Sequence, residues 1–284
     1  MDWTQTAIDT KFSALKEDEL LFLKTQVGIE DSGALTRHVA SVASRAMKIY
    51  PYTCLLLNFL KFKLPSLPAY RRLLEMPSAT RARVIFLDLG SCLGQDVRKA
   101  VADGFSPLNI VATDIRPEFW NLGHELFRST PATFPAAFVP GNLFDPSFLP
   151  DKVLYPASRI HQTSLHTLKS LAPLQRHVSV IHASSLFHLF DAPQQRLLAR
   201  KLVTLLSLTA GSVIFGMQQG NYVEGEVVNP RQERVYLHSP DSWKELWEGL
   251  FPKGTVRIDV DWMKNVVTGT SAKILVMSWS VTRI

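Results

Sequence analysis

Two apolar runs that each end in an acidic residue constrain the fold of this chain more than any other feature. The first run, residues 84–88, continues into a turn with the sequence DLGSCLG, and the second, residues 110–114, follows after a gap the length of one helix. A strand, a glycine-spaced turn, a helix and a second strand form the βαβ unit of a parallel sheet, whose carboxyl edge binds nucleoside-bearing ligands. Asp114 is then placed to accept both hydroxyl protons of a ribose.

The spacing of the glycines distinguishes two classes of cofactor. A dinucleotide requires the pattern GxGxxG, because its pyrophosphate lies on bare backbone at a helix N-terminus. Here Asp88 precedes Gly90 by two positions, Cys92 stands in the middle position, and Gly94 completes the turn. This pattern is typical of a pocket for S-adenosylmethionine, whose ammonium and sulfonium groups are positive, whereas the acid would repel a pyrophosphate. The alternative is a plain strand-turn-helix that binds no ligand.

Seven short apolar runs predict the sheet. They span residues 83–88, 109–113, 136–140, 178–183, 212–217, 256–262 and 274–281. Helical patterns separate the first five runs, which indicates parallel strands, whereas only a polar link at 265–273 separates the last two, which indicates an antiparallel hairpin. We therefore expect an α/β fold with a Rossmann-like, seven-stranded, mostly parallel sheet, which is the strand inventory of class I methyltransferases.

Helical periodicity and capping residues place the helices between these strands. The patterns span residues 94–102 and 117–127, and two further helices begin at Asp191, with Gly211 as its stop, and at Ser239. The first eighty residues carry helical patterns at 16–25 and 32–49 and no strand pattern. We expect an N-terminal helical extension at 1–80 and a cofactor-binding domain at 81–284. The extension is either a lid over the cofactor edge or a passive cap on the sheet.

Polar residues after the third and fourth strands predict the rest of the site. Asn142 and the backbone of Leu143 are placed to meet the exocyclic amine of an adenine, unless Asn142 is an ordinary turn residue. His182 and His188 follow the fourth strand, where a methyl acceptor lies in such a sheet. Either histidine could be a general base for a hydroxyl acceptor, a hydrogen-bond partner of a carboxylate acceptor, or a satisfied structural residue. His238 is a further candidate for the acceptor cavity.

Aromatic residues near the same edge suit a large apolar acceptor, although all of them could simply be core. They are Phe187, Phe190, Tyr222 and Trp243. No cluster of carboxylates is evident near the fourth strand, so we expect no metal ion.

Composition and charge narrow the class of partner. The net charge of +6 arises from residues spread along the chain, so we expect a small-molecule partner and no nucleic acid. The longest apolar cluster, residues 52–60, is too short to span a membrane, and the first residues lack the pattern of a secretory signal. Two cysteines make no disulfide framework, so we expect a cytoplasmic location. The oligomeric state stays open, with a homodimer as one alternative.

Longer segments resemble a known family. The strings FLDLGSCLGQDVR at 86–98, TDIRPEFW at 113–120 and HASSLFHLF at 182–190 resemble a fungal family of S-adenosylmethionine-dependent methyltransferases. Members of that family act in terpenoid and meroterpenoid pathways such as those to austinol, andrastin and terretonin. The resemblance implies a class I fold and methyl transfer to oxygen, with carboxylic acids of meroterpenoid intermediates as the best-known acceptors.

The resemblance also implies roles for residues at the carboxyl edge. The cofactor-binding residues would be Asp88, Gly90 and Gly94 at the methionine side, Asp114 and Ile115 at the ribose, and Asn142 and Leu143 at the adenine, with His182 as a further cofactor-binding residue. A carboxylate acceptor is already ionised at neutral pH and needs no general base. A hydroxyl acceptor would need one, and His182 or His188 is then the candidate.

Three hypotheses follow from these patterns. The leading one is an O-methyltransferase that acts on a carboxyl or hydroxyl group of a small-molecule secondary metabolite, with a terpenoid, meroterpenoid or polyketide-derived compound as the acceptor. An N-methyltransferase is a second, but the Asn/Asp-Pro-Pro-Tyr/Phe string typical of many such enzymes is missing after the fourth strand. The third is a regulator that binds S-adenosylmethionine without turnover.

Replacement of Asp114 tests the ribose assignment. Because no neutral side chain accepts both ribose hydroxyls as well as a carboxylate does, we expect Asp114→Ala to weaken binding of S-adenosylmethionine and S-adenosylhomocysteine by more than about tenfold, or roughly 1.4 kcal/mol. Isothermal titration calorimetry measures both affinities. Equal affinities of the variant and the wild type would contradict the assignment.

Overall fold

The sheet of the protein contains the strands that the sequence predicts. The computed structural model describes residues 12–51, 58–153, 162–229, 232–263 and 275–284. Its strands are β1 (Phe86–Leu89), β2 (Ile110–Thr113), β3 (Ala137–Phe138), β4 (Val180–His182), β5 (Val213–Gln219), β6 (Gly225–Val228), β7 (Arg234–Leu237), β8 (Val256–Trp262) and β9 (Val276–Arg283). Seven of them form one sheet in the order β3-β2-β1-β4-β5-β9-β8. Strands β1 to β5 are parallel, and β9 pairs antiparallel with both β5 and β8, so the predicted fold class is confirmed.

Strands β6 and β7 form a separate antiparallel pair that the sequence analysis missed. Along β6, half-buried and exposed residues alternate, and Glu226 and Arg234 place charges within the pair. No residue of β6 is buried, and β7 buries only Val235 and Leu237, so these short strands leave little apolar signal, which explains the omission. The link predicted at 265–273 lies outside the described residues.

Eight α-helices flank these strands in the described part of the chain. They are α1 (Glu17–Val27), α2 (Ser32–Ile49), α3 (Pro68–Leu74), α4 (Ser78–Arg81), α5 (Gln95–Ala102), α6 (Pro117–Leu126), α7 (Ala192–Leu205) and α8 (Pro240–Glu248). The predicted N-caps are confirmed, since Asp191 accepts a hydrogen bond from the Gln194 amide and Ser239 accepts one from the Ser242 amide.

Helix α7 ends earlier than predicted. Its last residue is Leu205, and Gly211, with φ +85°, lies in the turn that leads into β5. Leu206 adopts an extended conformation, and the Ser207 amide donates to the Val178 carbonyl at 2.8 Å. Pairing with the chain before β4 therefore replaces the last helical hydrogen bonds.

The N-terminal helices pack on the helix that follows β2. The buried face of α2 is Leu35, Thr36, Val39, Val42, Ala43 and Ala46. It shares an apolar cluster with Phe119, Leu122 and Leu126 of α6, and the His38 Nε2–H donates to the Leu126 carbonyl at 2.9 Å. Further along, Leu64 and Tyr70 are fully buried against the sheet. Residues 12–51 and 58–74 thus pack against the same fold, and the domain boundary at residue 80 stays a prediction.

Tryptophans of α8 and β9 fill the core on one face of the sheet. Trp243, Trp247 and Trp279 surround Phe187, with ring centroids 4.9, 6.1 and 5.7 Å from its ring. Among the aromatics considered for the acceptor cavity, Phe187 and Trp243 are therefore core residues, whereas Tyr222 is 70% exposed.

Gly123 tests how tightly α6 packs on the glycine-spaced turn. A Cβ at this position would lie 2.3 Å from the Leu93 carbonyl oxygen, so we expect Gly123→Ala to lower the free energy of unfolding by about 1–3 kcal/mol. Urea denaturation measures it. Gly249→Ala is the matched control, because its Cβ would lie 3.4 Å from the nearest atom, the Glu245 carbonyl oxygen. Equal losses in the two variants would contradict close packing at Gly123.

Candidate active site

A cleft at the carboxyl edge of the sheet gathers residues from three parts of the chain. Residues 88–93 come from the end of β1 and the following turn, Gln95 and Asp96 from the start of α5, and His182 and Ser184 from the end of β4. The remaining walls are Phe59 and Lys63, which the sequence analysis did not identify and which precede α3. The N-terminal extension therefore contributes directly to the cleft.

Left-handed residues and two hydrogen bonds to β2 define the backbone of the glycine-spaced turn. Gly90 and Gly94 adopt φ +69° and +71°, in the left-handed region that glycine favours. The amides of Gly90 and Ser91 both donate to the Thr113 carbonyl, at 2.9 and 3.0 Å. Cys92 occupies the middle position with φ +48°. Contacts within the protein therefore define the shape of the turn.

Gly94 packs closely against two side chains, and its role at the methionine side stays a prediction. A Cβ at Gly94 would lie 2.7 Å from a guanidinium nitrogen of Arg98 and 2.7 Å from the Trp120 ring. Among the predicted cofactor-binding residues, Asp88, Gly90 and His182 line the cleft, and Gly94 lies beside it.

Arg98 is a buried cation beneath the turn. Its guanidinium donates to the carbonyls of Leu93 and Gly94, at 3.4 and 3.2 Å, and lies 4.3 and 4.4 Å from the ring centroids of Phe127 and Phe134. Burial lowers the pKa of Arg98 to about 9. No sequence signal separates this arginine from one on a solvated helix face, because its surroundings come from distant residues.

Asp114 lies at the end of β2, as predicted, and is 8% exposed. Its carboxylate accepts from the amides of Cys92 and Arg116, both at 2.9 Å. Burial raises its pKa, and these backbone hydrogen bonds oppose the rise. Each oxygen keeps lone-pair capacity for a ribose hydroxyl. Ile115 is 55% exposed beside it.

Asn142 and Leu143 follow β3. The Asn142 side chain is exposed, and its Oδ1 accepts from the Phe144 amide at 2.9 Å, which makes an Asx turn. Leu143 is half-buried against the core. These contacts match the ordinary turn that was the alternative, and the adenine contact stays a prediction.

A buried hydrogen-bonded chain runs from β1 across β4. Asp88 and His182 are paired in register on adjacent strands, with Asp88 Oδ1 and His182 Nδ1 2.6 Å apart. His182 Nε2 and Ser184 Oγ are also 2.6 Å apart. All three residues are at most 8% exposed. Burial raises the pKa of Asp88, and the hydrogen bond from His182 opposes that rise.

The other two candidate histidines, His188 and His238, lie in different surroundings. His188 lies in the 3-10 turn Phe187–Leu189, half-buried, and its Nδ1 accepts from the Gln219 amide at 3.3 Å. His238 is 6% exposed, and its Nδ1 lies 2.8 Å from Ser242 Oγ. Burial lowers the pKa of His238 to about 4. His238 thus belongs to the core beside α8, and its Nε2 has no hydrogen-bond partner within the described ranges.

Two buried polar atoms at the cleft lack a hydrogen-bond partner among the residues that the structure describes. They are Ser91 Oγ and Gln95 Oε1, whose residues are 8% and 7% exposed. With Lys63 and the carboxylates of Asp88 and Asp96, they give the cleft both cationic and anionic recognition groups. This set suits a ligand with an ammonium and a carboxylate, such as an amino-acid moiety.

The described part of the chain holds no group of three or more histidine, cysteine or acidic residues that could bind a metal ion. Within the same residues, no helix has the length and apolar character needed to cross a membrane.

Known proteins resemble this chain in sequence. Residues 3–59 match the family described as the meroterpenoid methyltransferase N-terminal domain. The methyltransferase ausD of Penicillium brasilianum is 30% identical over 227 residues, which cover 79% of this chain and 73% of the relative. The O-methyltransferase phiE of Fungal sp. (strain ATCC 74256) is 30% identical over 74% of this chain, and the aligned part spans 63% of phiE. The asnovolin E/chermesin D methyltransferase nvfJ of Aspergillus novofumigatus is 24% identical over 89% of this chain and 84% of the relative.

Solved structures resemble it more distantly. The 1,6-didemethyltoxoflavin-N1-methyltransferase of Burkholderia thailandensis, solved with its substrate and S-adenosylhomocysteine, is 11% identical with a TM-score of 0.47. The match covers 76% of this chain and 79% of that structure.

His238 makes stability depend on pH. Its pKa is about 4 in the folded chain and about 6.5 in the unfolded chain, so the unfolded chain binds more protons between these values. We therefore expect the contribution of His238 to the free energy of unfolding to be constant above pH 6.5 and to fall by about 3 kcal/mol as the pH drops to 4. Urea denaturation across this range, with wild type and His238→Gln, measures it. The variant should lose this part of the pH dependence, and parallel curves would contradict the assignment.

Proposed function

Because the chain belongs to the fungal meroterpenoid methyltransferases, we propose that it transfers the methyl group of S-adenosylmethionine to a carboxylate oxygen of a terpenoid or meroterpenoid acid. Family membership confirms the resemblance, the predicted methyltransferase class and its cofactor. The choice of a carboxylate over a hydroxyl or nitrogen acceptor is our proposal and rests on the geometry of the cleft. The homodimer and the cytoplasmic location stay predictions.

The cleft fits the amino-acid end of the cofactor. Within the described ranges of the chain, Ser91 Oγ and Gln95 Oε1 are buried without hydrogen-bond partners, and a bound ammonium group would supply donors to such oxygens. Lys63 lines the same cleft and would pair with the cofactor's carboxylate. Asp114, beside Ile115, would hold the ribose, and Asn142 with Leu143 would meet the adenine. The bound cofactor supplies an electrophilic methyl group on a positively charged sulfur.

The state of the two candidate histidines carries the proposal of a carboxylate acceptor. Both ring nitrogens of His182 lie within hydrogen-bond distance of a side chain, Asp88 or Ser184. In His188, Nδ1 accepts from the Gln219 amide, so the proton of the neutral ring lies on Nε2 and makes that nitrogen a donor. A hydroxyl acceptor needs a free basic nitrogen, which this arrangement does not supply. A carboxylate needs none.

The low solvent exposure of residues that line the cleft favours this reaction. The carboxylate oxygen attacks the methyl carbon as the bond from carbon to sulfur breaks, so a negative and a positive charge cancel in the product. Charge cancellation is favoured in a site of low dielectric constant, and Asp88, Ser91, Gln95, His182 and Ser184 are at most 8% exposed. The residues of the cleft would align the acceptor oxygen with the methyl group and exclude water.

Methyl transfer to a panel of acids tests the proposal. The full chain is incubated with methyl-deuterated S-adenosylmethionine and farnesoic, abietic or mycophenolic acid; the last carries both a carboxyl group and a phenol. We expect a deuterated methyl ester that mild alkali hydrolyses, detected by mass spectrometry. Because no base is used, kcat/KM should rise with ionisation of the acid and show no second rise between about pH 6 and 9.

Substrate controls separate the alternatives. The preformed methyl esters of the same acids lack the carboxylate and should be inert. An alkali-stable ether at the phenol would instead indicate a hydroxyl acceptor, and a labelled amine would indicate a nitrogen acceptor. Cofactor binding without transfer to any of the three acids would contradict the proposal and favour a regulator.

A further inference from the structure

Ser184 ends the buried chain of Asp88 and His182 at the wall of the cleft. We propose that the Ser184 hydroxyl binds the acceptor carboxylate and positions its oxygen for methyl transfer, and that the Asp88–His182 pair takes up one proton when the acid binds. This inference rests on the proposed function. It gives His182 a positioning role, through Ser184, in place of the role of general base.

The backbone around Ser184 is held in one arrangement. A Cβ on Gly216 would lie 2.5 Å from the Ala183 carbonyl oxygen, so β5 approaches the end of β4 closely only because this residue is glycine. Ser185 adopts φ +57°, and its amide donates to the Met217 carbonyl at 2.6 Å. Non-glycine residues rarely adopt this conformation, and such residues cluster at functional sites. The local fold therefore directs Ser184 towards the cleft.

Two neighbours determine where the Ser184 proton points. The Met217 amide donates to Ser184 Oγ at 3.2 Å. When His182 Nε2 is unprotonated, it accepts the Ser184 proton, and the hydroxyl has no donor for the cleft. When Nε2 carries a proton, Ser184 Oγ accepts two hydrogen bonds, and its own proton is free to bind an anion. An acid that binds as its carboxylate therefore favours the form in which the pair holds one more proton.

The groups around the pair allow this uptake. Asp96 on α5 and Asp114 after β2 are negative neighbours of Asp88, and Lys63 is a positive one. Burial raises the pKa of Asp88, which favours a pair that holds the extra proton. Methyl transfer to the carboxylate forms the bond between oxygen and carbon, breaks the bond between carbon and sulfur, and moves no proton. The proton taken up at binding is released when the neutral ester leaves.

Calorimetry with two serine variants tests the inference. The probe is the acid of the three-acid panel with the highest wild-type turnover, titrated at pH 7.5 into protein saturated with S-adenosylhomocysteine. In buffers of different ionisation enthalpy, we expect the wild type to take up close to one proton. A hydrogen bond to a charged group predicts that Ser184→Ala raises the Kd of the acid about tenfold or more and abolishes the uptake.

Matched variants separate this role from a structural one. Ser185→Ala, at the adjacent position, should leave proton uptake and the Kd of the acid within twofold of the wild type. Ser184→Ala should keep the affinity for S-adenosylhomocysteine within twofold, which shows that the cleft is folded. Ser184→Thr keeps a hydroxyl and should recover part of the affinity for the acid.

The possible results distinguish a failure of this inference from a failure of the proposed function. Wild-type turnover of an acid with unchanged acid affinity in Ser184→Ala, or without proton uptake, would overturn this inference and leave the proposed function intact. Methyl transfer to none of the acids would overturn the proposed function and this inference with it. Transfer to the phenol alone would indicate a hydroxyl acceptor and would overturn both the proposed function and this inference.

Discussion

The hydrogen bond between Asp88 and His182 connects the two central strands of the sheet at the point where the site is built. Their side chains are nearly inaccessible to solvent, so each depends on the other for its hydrogen bond. Loss of one member of such a buried pair leaves the other without its partner and lowers the free energy of unfolding by about 3–5 kcal/mol. The same contact orients His182 towards Ser184. Stability of the sheet and geometry of the cleft therefore share one interaction.

The glycine-spaced turn depends on a second set of contacts that come from outside the βαβ unit. Arg98 holds its carbonyls from below, and Gly123 lets α6 approach its backbone. Leu93 of the turn belongs to the apolar cluster that α1 and α2 complete. A turn supported in this way needs little reorganisation when a ligand binds, which lowers the entropic cost of binding. The N-terminal helices thus act on the cleft whether or not they move as a lid.

Local pattern and tertiary contact contributed differently to what could be predicted. Strands β1, β2 and β5 were predicted because buried parallel strands are continuous apolar runs, and the caps Asp191 and Ser239 because capping is local chemistry. The β6–β7 pair was missed because only two of its residues, Val235 and Leu237, are buried, which leaves little apolar signal. Lys63 and Ser184 were missed for another reason. Nothing in their own neighbourhood distinguishes a lysine or serine that lines a cleft from one in solvent.

The sequence by itself determined the α/β sheet with its antiparallel C-terminal pair, the turn after β1, the acid after β2 and, through its resemblance, the family. These features are encoded in short-range periodicity and in the spacing of glycines and acids, which do not depend on the rest of the chain. Only the tertiary structure decided that His182 is enclosed between Asp88 and Ser184, that His238 is a core residue, and that Phe59 and Lys63 reach the cleft. Hydrogen-bond partners and burial are properties of residues far apart in sequence, and they exist only once the strands are paired.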